Sequence, residues 1–314
     1  MKKSLFALLL LSLPTTMTAQ ESETTYNFLR IPISAHAAAL GGDNITIVED
    51  DATLMFHNPA LLSTVSDKTL NFNYMNYMQG ANSASASFNK ILKERTSIAF
   101  SGQYINYGKM KEMDANNVQR GDFSAGDIAI SGYFSYLLTD KLAGGITAKF
   151  ITSNIGQYNS IAMGVDLGIN YYDADREWSL SAVAKNLGGQ LKAYNDDYEN
   201  MPFDLQVGAT KRFANMPFRL SLTLVDLHRW NYKFIHHAVV GCDIILSPTI
   251  WVGAGYNARR AYEMKVSDGE NSSSRWAGLS LGAGINLERF KLNLAYGKYH
   301  VSSSSLIVNL AYSL

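Results

Sequence analysis

Hydrolysis by a nucleophile needs a Ser, a His and an Asn or Asp oriented together. Serines abound in this chain, but no Gly-x-Ser-x-Gly elbow follows a strand and opens a helix, so an embedded hydrolase has no starting point. His236 and His237 are metal-ligand types, yet adjacent residues on a strand point to opposite faces; loop or interface histidines explain the pair better. His57, beside Asn58, reads as structural support rather than as a base. The single cysteine, Cys242, excludes a disulfide framework and a cysteine-based zinc site. It shares parity with Val240 and Ile244, which makes it a small apolar residue on a lipid face. No Gly-rich phosphate loop is present. The expectation is no catalytic residue, no metal and no cofactor.

The elements around these residues carry more information. Of 314 residues, 17% are charged and 47% apolar, against roughly 25% charged in an average soluble protein. A helical span needs about 20 consecutive apolar residues, and the only long apolar run is N-terminal. There, Met1-Lys2-Lys3, Leu5 to Leu13, Pro14 and the small residues Thr18-Ala19 form the pattern of a cleaved export signal. Loss of Lys2 and Lys3 takes the balance of 27 basic and 27 acidic residues to −2. Such a balance argues against nucleic acid as a partner.

From residue 68 onward the hydrophobic period is two. Ile161, Met163, Val165, Leu167, Ile169 and Tyr171 fall on one face; Ala162, Gly164, Asp166, Gly168 and Asn170 fall on the other. Alternation over about 10 residues, apolar against small or polar, is the signature of a transmembrane β-strand. A soluble sandwich would put Lys, Glu and Thr on its outer face instead. Strands are expected at 68–78, 83–91, 95–107, 125–138, 141–154, 160–172 and 177–187. Seven more are expected at 202–213, 217–228, 237–246, 249–258, 276–286, 290–298 and 305–314. The fold expected is therefore all-β, a 14-stranded antiparallel transmembrane barrel with a short N-terminal helical plug. Even-numbered connections are short and long ones sit at odd positions, over 108–124, 188–201 and 259–275, which places those outside and the short turns in the periplasm. Lys149, Asp166, Lys185 and Asp243 share the polar parity, so they are expected to face the lumen and fix the plug.

Residues 20–66 do not alternate. Ser34 can cap a short helix ended by Gly41-Gly42, Asp50 or Asp51 another, and Asn58-Pro59 a third. Such helices cannot form a core alone, and the economical place for them is inside the barrel; a periplasmic subdomain is the alternative. The division expected is a signal peptide over 1–19, a hatch or plug over 20–66 and an outer-membrane barrel over 67–314.

Tyr26-Asn27-Phe28-Leu29-Arg30-Ile31-Pro32, Ser34 through Gly42, and Phe56-His57-Asn58-Pro59-Ala60-Leu61-Leu62 together resemble the N-terminal hatch of the PorV/PorQ family, the PorQ branch most closely. These are fourteen-stranded barrels similar to the FadL fatty-acid transporter. The resemblance makes Gly41, Gly42, His57, Asn58, Pro59 and Ala60 the plug signature. It implies a non-catalytic component of the type IX secretion system in the cell outer membrane. Its implied partners are a PorZ-like surface protein, PorU and PorV of the attachment complex, and outer-membrane lipid. Tyr262, Met264 and Trp276 supply apolar anchors for such a partner within polar outer loops. A FadL-like channel for hydrophobic molecules is the alternative reading.

Overall fold

The computed structural model describes residues 24–314 except 79, 115, 214–215, 265–272 and 302. The expected signal peptide lies outside the described residues. Fourteen strands close into one antiparallel barrel. The first seven are β1 (Thr69–Met78), β2 (Ala81–Lys93), β3 (Thr96–Met113), β4 (Gln119–Leu137), β5 (Leu142–Ile155), β6 (Tyr158–Asp173) and β7 (Trp178–Lys192). The rest are β8 (Asp204–Arg212), β9 (Phe218–Leu224), β10 (Ala238–Ser247), β11 (Ile250–Asn257), β12 (Leu279–Asn286), β13 (Phe290–His300) and β14 (Ser303–Ser313). The ladder from Thr69↔Ser313 to Asn76↔Leu306 joins β1 to β14 and leaves the sheet without an edge.

The period-two pattern sorts side chains as the pleat requires. Along β4, Asp127, Ala129, Ser131, Tyr133 and Ser135 are buried, while Ile128, Ile130, Phe134 and Tyr136 are exposed. Phe100 at 64% and Ile130 at 58% exposure belong to a continuous outer belt of large apolar side chains. A surface of that kind costs free energy in water and suits the hydrocarbon of a bilayer.

One end of the barrel carries the connections 94–95, 138–141, 174–177, 213–217, 248–249 and 287–289. The other carries 193–203, 225–237 and 258–278, with tight hairpins between β1 and β2, β5 and β6, and β13 and β14. Three expected boundaries are corrected here, the first being that 188–192, expected as loop, continues β7 in its pairing with β6. Most of 108–124 is strand: β3 and β4 stay paired through Lys109↔Ser124, Lys111↔Asp122 and Met113↔Gln119. This hairpin projects beyond the apolar belt, where both faces are wet and alternation no longer marks a strand. Conversely 225–228 is not strand, because β9 stops at Leu224.

The segment preceding β1 folds as its cap residues dictate. Ser34 Oγ accepts from Ala37 N–H at 3.2 Å and starts α1 (Ala35–Ala39); Gly41 and Gly42, with φ of 106° and 104°, end it. Asp51 Oδ1 accepts from Thr53 N–H at 2.9 Å, and Asn58 Oδ1 from Ala60 N–H at 3.0 Å, each opening a 3₁₀ turn. Ala35, Leu40, Ile45, Leu54, Ala60 and Leu62 are fully buried; Ala37, Leu40, Ile47, Leu54 and Leu61 pack on one another as a small cluster within the segment, and the rest is covered by the barrel. They are buried against the inward faces of the strands: α1 packs on β11 to β14, and the turn Pro59–Thr64 on β3 to β6. Small residues on the inner wall permit this. A Cβ on Gly145 would overlap the Pro59 carbonyl group, one on Gly168 the Asn58 side chain, and one on Gly255 the Leu40 backbone.

Candidate functional site

Four of the ionisable groups that hold this segment to the wall form one ring, apart from the Asp50–Lys291 and Arg30–Asp226 pairs. Asp243 on β10 is fully buried and accepts from Arg219 of β9 through Nε at 2.8 Å and Nη2 at 2.7 Å. Its other oxygen lies 3.0 Å from His36 Nε2 of α1. Glu49 closes the ring, 2.6 Å from Arg219 Nη1 and 2.9 Å from His36 Nδ1. Two cations thus face two anions with nearly every charge-assisted bond made, the condition under which buried charge is tolerated. Burial alone would lower the His36 pKa; the Glu49 and Asp243 carboxylates outweigh it and push it up to about 9. The His36 ring also stacks on Trp251 of β11, centroids 3.6 Å apart.

Next to this latch, Gly41 O accepts from Asn257 Nδ2 at 3.1 Å and Arg260 Nη1 at 3.2 Å. Pro59 and Ala60 lie in the buried turn that Asn58 caps, and Asn58 Nδ2 also donates to Ile45 O at 3.1 Å. His57 is 4% exposed, and neither ring nitrogen has a hydrogen-bond partner among the described residues; burial and the nearby Lys185 charge lower its pKa well below the usual range.

Between the first residues of the segment and the barrel wall, toward the long connections, lies a cavity of about 480 Å³. Leu29, Ile31, Phe56 and Tyr133 give it an apolar side; Arg30, Lys149, Lys185, Arg259 and Arg260 give it cations, with Asp43, Asp204 and Asp226 among them. His57 forms part of its wall. Lys149 ion-pairs with Asp166 at 2.7 Å, and Asp166 also accepts from Asn186 N–H at 2.8 Å. All four expected lumen charges, Lys149, Asp166, Lys185 and Asp243, have inward-facing, buried or nearly buried side chains. Asp243 bonds the N-terminal segment directly, whereas Lys149 and Asp166 brace the bulge in β7, where Asn186 has a φ of 58°. Above Lys185↔Asp204 the β7–β8 ladder stops, and there Asn186 Nδ2 donates to Pro202 O of the 193–203 connection at 2.9 Å.

Tyr262 lies in α2 (Ala258–Glu263), is 47% exposed and stacks on His236 at 4.0 Å; Met264 follows it, partly buried, and Trp276 is 78% exposed. His236 and His237 sit on a 3₁₀ turn rather than a strand, and His237 Nδ1 is 2.7 Å from Val225 O. Cys242 is half-buried on the outward parity with Val240 and Ile244.

Two constellations were not singled out in the sequence. Gly278-Leu279-Ser280-Leu281-Gly282 has the letters of a nucleophile elbow, but Ser280 lies within a strand and accepts from Arg260 Nη2 at 2.6 Å. Asp204, Asp226 and His228 offer ligand atoms within 4.8 Å of one another. Asp226 Oδ2 pairs with Arg30 and Arg259 and Asp204 accepts from Asp226 N–H and Gln206, while Asp226 Oδ1 has no hydrogen-bond partner among the described residues. The two guanidinium groups already balance the charge of Asp226, which disfavours a further cation. The five-residue string is legible in the sequence and only the fold shows that it is no elbow, whereas proximity in the fold alone brings Asp204 to Asp226 and His228.

No protein-family model and no curated protein matches the sequence. Solved structures do. The Pseudomonas putida toluene transporter TodX aligns over 90% of this chain and 97% of its own, with TM-score 0.58 and 14% identity. The monoaromatic hydrocarbon channel CymD covers 90% and 96%, with TM-score 0.58 and 14% identity. A Pseudomonas aeruginosa FadL homologue covers 87% and 96%, with TM-score 0.51 and 11% identity. At these identities the likeness establishes the fold, a 14-stranded barrel of the kind found in FadL-type outer-membrane channels.

Proposed function

We propose that this chain is a non-catalytic outer-membrane barrel that admits small hydrophobic or amphipathic molecules through a plugged lumen. The observation that carries this reading is the cavity of about 480 Å³ at the long-connection end, bounded by the N-terminal segment, within a barrel similar to hydrocarbon channels. In this reading the cavity receives a ligand whose apolar body lies against Ile31, Phe56 and Tyr133 and whose polar end meets Arg30 or Lys185. The His36–Glu49–Arg219–Asp243 latch holds the segment as a plug, so free diffusion is blocked until ligand and segment move together. The β7–β8 ladder leaves β7 beyond Lys185 unpaired with β8, which gives a route through the wall a place to open. Uptake of a labelled monoaromatic or long-chain acid by cells with and without the gene tests this. Equal uptake, at matched outer-membrane integrity, removes the channel.

A second reading has its own support: the barrel as an anchor for a surface protein in a type IX attachment complex, with a PorZ-like partner, PorU and PorV. What favours it is the hatch string at 26–62 together with Trp276 and Tyr198, 78% and 67% exposed on the long connections. Affinity purification from the outer membrane separates the two readings. Stoichiometric co-purification of a surface protein, with uptake unaffected by deletion, replaces the channel by the scaffold.

A further inference from the structure

The apolar belt is not equally tall all round the barrel. On β6 the outward positions Ile161 to Tyr171 cover ten residue steps, or about 26 Å of height at roughly 3.4 Å per residue and about 40° of tilt. On β9 they run only from Phe218 to Leu224, six steps, or about 16 Å by the same geometry. Exposed Met216 at the short-turn end extends this sector to roughly 20 Å, still about 5 Å below the usual band of about 25 Å. The deficit falls at the long-connection end, where β9 hands over to 225–237.

That connection is built in two halves of opposite character. Its inner half packs on protein: Tyr232 meets Tyr262 edge-on at 6.0 Å and Arg259 at 5.7 Å, and His237 is buried against Val225. Its outer half is bare: Trp230 is 92% exposed, Phe234 72% and Ile235 62%, with exposed Lys233 between them. Phe234 and Ile235 stand three to four residues before Ala238, where the outward row Ala238, Val240, Cys242 begins. The bare patch therefore continues the lipid-facing surface where that surface runs out. Tryptophan, phenylalanine and a lysine that can extend to anionic headgroups are the side chains a membrane interface selects.

We propose that the 225–237 connection lies in the lipid interface of the outer leaflet, with Trp230, Phe234 and Ile235 inserted beside the top of β9 and β10. It extends the belt over β9 and β10, within a run of strands from β8 to β12 whose outward rows are equally short or little longer. The occupant is lipid, not a second copy or a protein partner, and the assignment does not depend on what passes through the lumen.

Trp230→Cys and Phe234→Cys, each in a Cys242→Ser background, can carry an environment-sensitive fluorophore in phosphatidylcholine vesicles. Leu222→Cys serves as the lipid-facing reference and Asp197→Cys, on the exposed 193–203 connection, as the aqueous one. Heat-modifiable gel mobility confirms that each barrel is folded. The expected result is quenching at 230 and 234 by nitroxide-bearing lipid within about twofold of position 222, and iodide quenching several-fold weaker than at 197. Iodide quenching equal to that at 197 overturns the proposal. So does shielding that disappears as protein is diluted into lipid, which assigns the patch to a second copy.

Discussion

Replacing Asp243 by Asn removes one charge from the latch while keeping its shape. Arg219 and His36 would then share Glu49 alone, which is about a quarter exposed, whereas Asp243 is wholly enclosed. Breaking a buried pair from one side typically costs about 3–5 kcal/mol. At about 1.4 kcal/mol per tenfold, release of the N-terminal segment should become a hundredfold to several thousandfold easier. An Ala38→Cys thiol, at a position 1% exposed on α1, reports that release through its rate of maleimide modification. Measured in parent and variant alike, with Cys242→Ser throughout, any disturbance from the probe cancels. The paired replacement Arg219→Met with Asp243→Leu leaves His36 with Glu49 and should restore protection to within about tenfold of the parent. Two results refute the reasoning. Unchanged labelling in Asp243→Asn means the charges do not hold the segment. Equal lability of the single and paired variants means that shape, not charge, is at work.

The same probe reads two further outcomes. His36, with its pKa pushed up to about 9, contributes stability that is fully present below its ordinary value near 6.5. That contribution is lost as pH rises through 9, so protection of the Ala38→Cys thiol should fall between pH 8 and pH 10; a flat profile, after normalising to an unprotected thiol, contradicts this. Gly145→Val places side-chain atoms where the Pro59 carbonyl group lies, and should expel the 59–64 turn while the barrel still migrates as folded. If the thiol on α1 stays protected in that variant, the two ends of the segment are held independently. For orientation, Asn117→Cys in the projecting β3–β4 hairpin should label in intact cells and Asp140→Cys should not; the reverse pattern inverts the topology.

The strands were legible because lipid and lumen impose opposite chemistry on alternate residues, and β6 states this alternation without interruption from Ile161 to Tyr171. Where one solvent bathes both faces the signal ends, and the outer reaches of β3 and β4 were read as loop for that reason. Two caps in the N-terminal segment were equally legible, since Ser34 and Asn58 announce themselves by type and position; between Asp50 and Asp51 only the structure decides, for Asp51. The parity of Asp243 gave its direction but not its partners. Arg219 sits 24 residues away and Glu49 far earlier in the chain, so neither spacing nor period joins them to it. Cavities likewise arise from what several strands leave unfilled, and no single segment encodes one.

The N-terminal segment runs the full height of the barrel. Thr25 N–H donates to Asn200 O beside the long connections, and Ser66 bonds Asn89 near the short turns. Its partners are spread over nearly the whole chain: Asn58 meets β6 and β7, while Ala35 N–H donates to Asn309 on the last strand. The part of the described chain synthesised first is thus the part whose contacts are completed last. Because β1 follows this segment directly and also closes the barrel on β14, either the curling sheet gathers in the segment before that seam zips, or a chain carrying His36 and Glu49 is threaded through a finished cylinder. The first order needs no desolvated charge to cross a closed wall. Biogenesis then has a defined final event, the β1–β14 seam, and a mutation that loosens the latch should slow that event as well as weaken its product.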